Sequence, residues 1–206
     1  MGLEIEFKWD ANVPRAFWRM CRALDKRAVK VSSPKDLSIL DVYLDDKAGN
    51  FGQKNIAFRV RCVNNRWEAT FKTRTEIING KARRREETCL MPGVKNLSQA
   101  LDFLNQKKCW KGLEVSNLHP LFKIKNKRKI HVLSNAKWEA ELAFDTCELF
   151  VLGRRVFFKE IELEFKKGSL PLFEKFASCL TEQSGLRRAR ISKVKTAFSL
   201  LKLWGK

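Results

Sequence analysis

The chain has 206 residues, 44% of them hydrophobic, which suits one domain with a sizeable core. Lys and Arg number 42 against 23 Asp and Glu, a net charge of +19 that attracts nucleic acid, polyphosphate or anionic membrane without choosing among them. No apolar run approaches the length needed to span a bilayer, and Glu4, Glu6 and Asp10 argue against a secretory signal, so no membrane partner and a cytoplasmic protein are expected.

Alternation with period two dominates the chain and predicts strands. Segment 3–9 puts Leu3, Ile5, Phe7 and Trp9 on one face and Glu4, Glu6 and Lys8 on the other. A helix is expected from Pro14 to about Ala28, with Phe17, Met20, Cys21 and Leu24 on one stripe. Strands follow near 38–45 and at 56–62, where Arg59 and Arg61 oppose Ile56, Phe58, Val60 and Cys62. Segment 66–74 opposes Glu68, Thr70 and Lys72 to Trp67, Ala69 and Phe71, and another strand is expected near 81–91. A second helix covers Leu97 to about Gln106. Strands near 122–133, at 137–146 and at 155–165 come next, the last two carrying Glu139, Glu141 and Asp145, then Glu160, Glu162 and Glu164. A third helix starts near Ser169 and ends before Gly185, and a fourth runs from Ser192. Asn64-Asn65, Asn79-Gly80, Ser134-Asn135 and Leu152-Gly153 supply hairpin turns.

Eight such strands predict a β-rich α+β domain over residues 1–206, an antiparallel meander closed into a barrel. The apolar strand faces need cover and the amphipathic helices need an apolar surface, so the helices are expected on the outside and the charged faces inside. Those faces are sorted by sign. Carboxylates gather at 4–6, 139–145 and 160–164, cations at 59–61, 72 and 81–85. Six scattered cysteines, none in a C-x-x-C pair, read as small core residues rather than a zinc site or disulfide framework. His119 and His131 read as structural or surface residues.

Residues two apart on a strand share a side, about 7 Å apart. Glu4-x-Glu6-x-Lys8 therefore offers two carboxylates to a hard cation, and Glu160-x-Glu162-x-Glu164 repeats the device. Alone, such alternation is common in exposed strands. The full set is more specific, because Tyr43-Leu44-Asp45, Phe58-Arg59-Val60-Arg61, Trp67 to Lys72, Arg85-x-Glu87, Arg128, Glu141, Asp145, Gln183-Ser184-Gly185-Leu186-Arg187 and Ser192-Lys193 follow in order.

In that order the sequence resembles the CYTH family, the triphosphate tunnel metalloenzymes, and most closely its bacterial inorganic triphosphatases. The resemblance implies an eight-stranded tunnel that holds a triphosphate and Mg²⁺ or Mn²⁺. Glu4, Glu6, Asp145, Glu160 and Glu162, with Glu164 more weakly, look like metal-binding carboxylates. Lys8, Arg59, Arg61, Lys72, Arg85, Arg128 and Lys193 look like phosphate-binding cations, with Glu4, Glu6, Lys8 and Lys193 closest to the chemistry. Hydrolysis of inorganic triphosphate or short polyphosphate is the expectation. Nucleoside or thiamine triphosphate hydrolysis and ATP cyclisation are alternatives, although neither histidine is followed by the phenylalanine found in class IV cyclases. A polyphosphate- or nucleic-acid-binding module without turnover is the alternative of another class, and non-specific polyanion binding by the basic surface is expected in any case.

Overall fold

The structure, a computed structural model, describes residues 5–54, 56–72, 76–78, 81–83, 86–106, 118–189 and 193–204, with backbone alone at 72, 76–78, 81–83 and 86. In chain order the elements are β1 (Glu6–Asp10), α1 (Ala16–Asp25), β2 (Lys30–Val31), β3 (Lys35–Asp45), α2 (Asn50–Gln53), β4 (Ala57–Val63), β5 (Arg66–Lys72), β6 (Glu76–Ile78), β7 (Lys81–Arg83), β8 (Glu86–Leu90), α3 (Leu97–Gln106), β9 (His119–Ser134), β10 (Trp138–Val151), β11 (Arg154–Gly168), α4 (Leu170–Ser184) and α5 (Lys193–Trp204). The main sheet runs β1-β11-β10-β9-β3-β4-β5-β8, with β2 beside β9, and β6-β7 form a separate ribbon. Every ladder is antiparallel. The fold is thus β-rich α+β, and among the described residues no helix is long and apolar enough to cross a membrane.

The turn residues act as their chemistry requires. Asn64 and Asn65 take φ of 47° and 65°, and Leu152 and Gly153 take 47° and 74°. Two successive positive φ values match the right-handed twist of the flanking strands. Asn135 Oδ1 accepts the backbone N–H groups of Lys137 and Trp138 and so turns β9 into β10. Asn79-Gly80 lies outside the described residues. The strand expected at 81–91 is divided between β7 and β8, and β2, β6 and α2 were not expected.

One face of the sheet is apolar and carries most of the helices. Trp9, Leu142, Phe144, Ile161 and Leu163 meet Met20 and Leu24 of α1 and Phe173, Ala177 and Leu180 of α4. Val42, Val60, Trp67 and Ala69 meet Ala100 and Leu104 of α3. Trp9 Nε1 donates to Thr181 Oγ1 at 2.9 Å, satisfying the indole where it is wholly buried. Arg19 of α1 donates to the carbonyls of Ser184 and Gly185 at 2.8 and 2.9 Å, which closes the C-terminus of α4. Five cysteines are described and all are free thiols, but only Cys147 is fully buried. The expectation of core cysteines therefore holds for one of them.

Two expectations are corrected. Among the described residues no ladder joins β1 to β8, so the sheet is not closed into a barrel by hydrogen bonds. The reason lies at β1, whose second edge is taken by the segment after α4. Asp10 N–H donates to the Arg187 carbonyl at 3.1 Å, Ala189 N–H donates to the Lys8 carbonyl at 2.9 Å, and Trp9 bridges Arg188. The Gln183–Arg187 motif is the turn that delivers this segment. The second correction is that α5 does not pack on the outer face. Its Ala197, Phe198 and Leu201 pack with Tyr43, Phe122, Ile124, Cys147 and Leu149. These strand positions alternate with the residues under α1, α3 and α4, and they share the face of Arg128 and Asp145.

Packing makes α4 a sensitive element. Phe173 is fully buried against Phe7, Trp138 and Phe165, with ring centroids 5.1–5.9 Å away. Phe173→Ala should cost about 3–5 kcal/mol in denaturant unfolding, and Leu172→Ala, next to it but 44% exposed, less than about 0.5 kcal/mol. Equal losses would contradict this packing.

Candidate active site on the inner face

Ladder register brings the charged residues together, because partners across an antiparallel pair share a face. Asp145 of β10 stands opposite Arg128 of β9 on one side and Glu160 of β11 on the other. Glu162, two residues on, stands opposite Lys8 of β1, and Glu164 opposite Glu6. The first residue of α5 adds Lys193 from above. Four strands and one helix N-terminus thus meet in one patch.

The patch is tightly ion-paired. Arg128 grips Asp145 with both Nε and Nη2, at 2.7 and 2.6 Å, and Nη2 also bonds Glu162. Lys8 Nζ lies 2.8 Å from Glu162 and 3.2 Å from Glu6. Lys193 Nζ bonds Asp145 and lies 3.3 Å from both Glu160 and Glu162. Burial opposes charge on each group, and the pairing decides the outcome. Despite burial, Lys193, Lys8 and Arg128 hold Glu162 well below the usual carboxylate range, and Lys193 and Arg128 hold Asp145 below it. Lys8, Lys193 and Arg128 are correspondingly pushed up against their own burial. Glu160 goes the other way, because burial outweighs Lys193 and Lys8 and raises it.

Asp145, Glu160 and Glu162 are all buried and each offers an oxygen, these oxygens lying within 4.8 Å of one another. An all-oxygen, carboxylate donor set is what hard divalent cations prefer over thiol- or imidazole-seeking metals. Glu160 Oε2 is buried and accepts no well-aligned hydrogen bond, with the Lys193 ammonium 3.3 Å away as an ion-pair partner. The Lys193 ammonium touches all three carboxylates and shows that the cluster accommodates positive charge. These residues fit a divalent metal.

A second group continues the same face across β3, β4 and β5. Arg61 donates to Asp41 in bidentate fashion, Nε to Oδ1 at 2.6 Å and Nη2 to Oδ2 at 2.9 Å. Arg59 Nε lies 3.7 Å from Asp41, and its Nη2 donates to Thr70 Oγ1 at 3.3 Å. Arg59 is only 5% exposed, although guanidinium groups usually keep to water. The two groups sense each other, since Lys193 helps to pull Asp41 down and Arg128 repels Arg61.

Of the residues singled out in the sequence, the structure gathers Glu6, Lys8, Arg128, Asp145, Glu160, Glu162 and Lys193 at one point and Arg59 and Arg61 beside it. Glu164 shares the face but is turned to Lys166, 2.9 Å away, and is not among the three clustered carboxylates. Lys72 ends β5 opposite Ala57 and Glu86, and its side chain is not described. Glu4 and Arg85 lie outside the described residues. Asp41 and Thr70 were missed, although Asp41 lies two residues before Tyr43 on a predicted strand and so on the same side. Asp45, within the Tyr43-Leu44-Asp45 motif, serves α2 instead, accepting the N–H groups of Phe51 and Gly52 at 3.0 and 2.9 Å.

Asp41 yields a pH prediction. Burial disfavours its charge, but Arg59 and Arg61 override this and lower it to about 2. A depressed carboxylate stabilises the fold fully above its unfolded value near ~3.9 and loses that contribution as pH falls through the folded value. The shift corresponds to roughly 2–3 kcal/mol. Asp41→Asn should therefore flatten the loss of stability between about pH 4 and pH 2 and lower stability at neutral pH, as read from urea unfolding across pH. An unchanged acid limb would remove Asp41 from the network.

Comparison with known proteins places this geometry. The adenylyl cyclase candidate HpAC1 from Hippeastrum, described as revealing a dominant triphosphatase activity, is 18% identical with a TM-score of 0.65, covering 95% of each chain. A protein from Pyrococcus horikoshii OT3 is 17% identical with a TM-score of 0.65, covering 96% of this chain and 99% of its own. The mimivirus capping enzyme triphosphatase is 10% identical with a TM-score of 0.52, covering 88% of each chain. These likenesses are of fold. No curated protein sequence matches the chain. The CYTH domain profile matches residues 2–198, nearly the whole length, and the chain belongs to the CYTH domain family.

Proposed function

We propose that this protein hydrolyses inorganic triphosphate to pyrophosphate and phosphate with a divalent metal, on the charged inner face of its sheet. One observation carries the reading. Three clustered, buried carboxylates share one face of the sheet with five cations, Lys8, Arg59, Arg61, Arg128 and Lys193. A pure anion binder gains nothing from such acids, and a pure metal site gains nothing from such cations.

Asp145, Glu160 and Glu162 would hold Mg²⁺ or Mn²⁺ with Glu6 beside them, and the family resemblance adds Glu4 and, more weakly, Glu164 to that set. Bound there, the ion supplies charge neutralisation at phosphate oxygens and a more acidic water. Arg59 and Arg61 present planar forks suited to two phosphate oxygens each. Lys8, Arg128 and Lys193 exchange carboxylate partners for phosphate and steady the charge that develops on equatorial oxygens in phosphoryl transfer. Lys72 and Arg85 extend the cation row along the chain.

HpAC1, of this fold, is described as a candidate adenylyl cyclase with a dominant triphosphatase activity. The decisive assay therefore separates products. Inorganic triphosphate, ATP and thiamine triphosphate are each incubated with Mg²⁺, Mn²⁺ or EDTA, and phosphate and cyclic nucleotide are both measured. Metal-dependent phosphate release fastest from inorganic triphosphate is the expected result. A cyclic product from ATP, or binding without turnover, would overturn it. In the same assay Glu162→Gln should lower kcat about 100-fold or more, with the fold intact by circular dichroism. Arg59→Ala should raise KM roughly 10- to 100-fold, the loss of one charge-assisted hydrogen bond; unchanged kinetics in both variants would move the site elsewhere.

A further inference from the structure

Among the described residues the outer face of the sheet is not wholly covered. Between the part under α1 and the part under α3, Lys123, Lys125, Lys127 and Lys129 of β9 project outward at alternate positions, and all four are exposed. Their spacing is about 6.8 Å, twice the rise of an antiparallel strand. That is the scale on which an extended polynucleotide presents successive phosphates. Across the ladders the row is flanked by Phe150, Glu148 and Thr146 of β10, and beyond them by Arg155, Phe157 and Lys159 of β11.

The flanking residues change the meaning of the charge. Phe157 is 69% exposed on a regular strand, set between Arg155 and Lys159. Phe150, half-buried beside it, lies under the Lys125 ammonium at 5.1 Å and the Arg155 guanidinium at 5.5 Å. The acids nearby are few and already engaged. Glu148 lies 3.5 Å from Arg155, and Asp36 lies 3.9 Å from Lys129. A solvated face needs cations but no bare phenylalanine. A groove for inorganic polyphosphate has no use for an aromatic surface either. Cations that follow a backbone, with aromatic rings on which bases stack, suit single-stranded nucleic acid.

We propose that this strip, on the opposite side of the sheet from the carboxylate cluster, binds single-stranded nucleic acid without strong sequence preference. The proposal does not depend on triphosphate hydrolysis, and its test avoids the inner site. A fluorescein-labelled 20-nucleotide single-stranded RNA with a 5′-hydroxyl end is titrated by anisotropy in EDTA across a series of salt concentrations. The variants are Phe157→Ala and a combination of Lys123→Gln, Lys125→Gln, Lys127→Gln and Lys129→Gln.

Each phosphate contact on a single strand contributes about 0.7 to the slope of log affinity against log salt. The four-lysine variant should therefore lose about 3 from that slope and bind at least roughly tenfold more weakly. Phe157→Ala should weaken RNA binding several-fold with the slope unchanged, and leave competition by inorganic polyphosphate unaltered. Both variants should keep wild-type melting temperatures and phosphate release, which separates failure here from failure of the hydrolase reading. Wild-type RNA affinity in the four-lysine variant would overturn the proposal. So would a Phe157→Ala protein unchanged toward RNA while polyphosphate competes equally per phosphate, since the strip would then be a plain polyanion surface.

Discussion

Charge buried without a partner costs more than any packing nearby returns, and that constraint shapes this molecule. On the inner face Lys8, Arg59, Arg61, Arg128 and Lys193 are set against Glu6, Asp41, Asp145, Glu160 and Glu162, five cations against five carboxylates. Apart from Lys8 and Glu6, which share β1, the partners come from different strands or from α5. The network therefore exists only if the β1-β11-β10-β9 and β9-β3-β4-β5 registers are right. A slip of one residue in a strand would turn that strand's charged groups to the opposite face, under α1, α3 and α4.

The internal pairing also bears on function. The sequence sorts acids and cations into separate segments. The structure brings them together as ion pairs, most of them between strands. A triphosphate entering this face would replace carboxylates as the partner of the arginines, and the released carboxylates would be left to a divalent metal. Anion and metal sites that share their counter-ions in this way are coupled by electrostatics rather than by any moving part.

Much of the fold is legible in period-two alternation. The strands bearing Glu6, Arg59, Glu68, Asp145 and Glu162 lie where that pattern puts them, and Asn64-Asn65 and Leu152-Gly153 turn as their residue types require. What alternation does not carry is pairing. It could not place Asp41 against Arg61, because that contact depends on register between β3 and β4. Nor could it show that residues 187–189 occupy the edge of β1. The helix after Ser192 has an apolar stripe like the others, yet α5 lies on the inner face, because Tyr43, Phe122, Ile124 and Leu149 make the distal part of that face apolar. Those residues sit beyond the charged positions on the same strands. The phase of alternation is continuous through both parts, but only the long ladders of β9 and β10 show them to share one side.

The central claim is that metal and triphosphate meet on this one face. Its most direct measurement is calorimetric titration of Mn²⁺ and inorganic triphosphate, each alone and each in the presence of the other, on wild type and Glu162→Gln, with free-solution metal–triphosphate binding subtracted. The account predicts that each ligand tightens the other by tenfold or more in the wild type, which is at least about 1.4 kcal/mol of coupling. In Glu162→Gln that coupling should be largely lost. Independent binding of the two ligands in the wild type, or coupling that survives intact in Glu162→Gln, would contradict it.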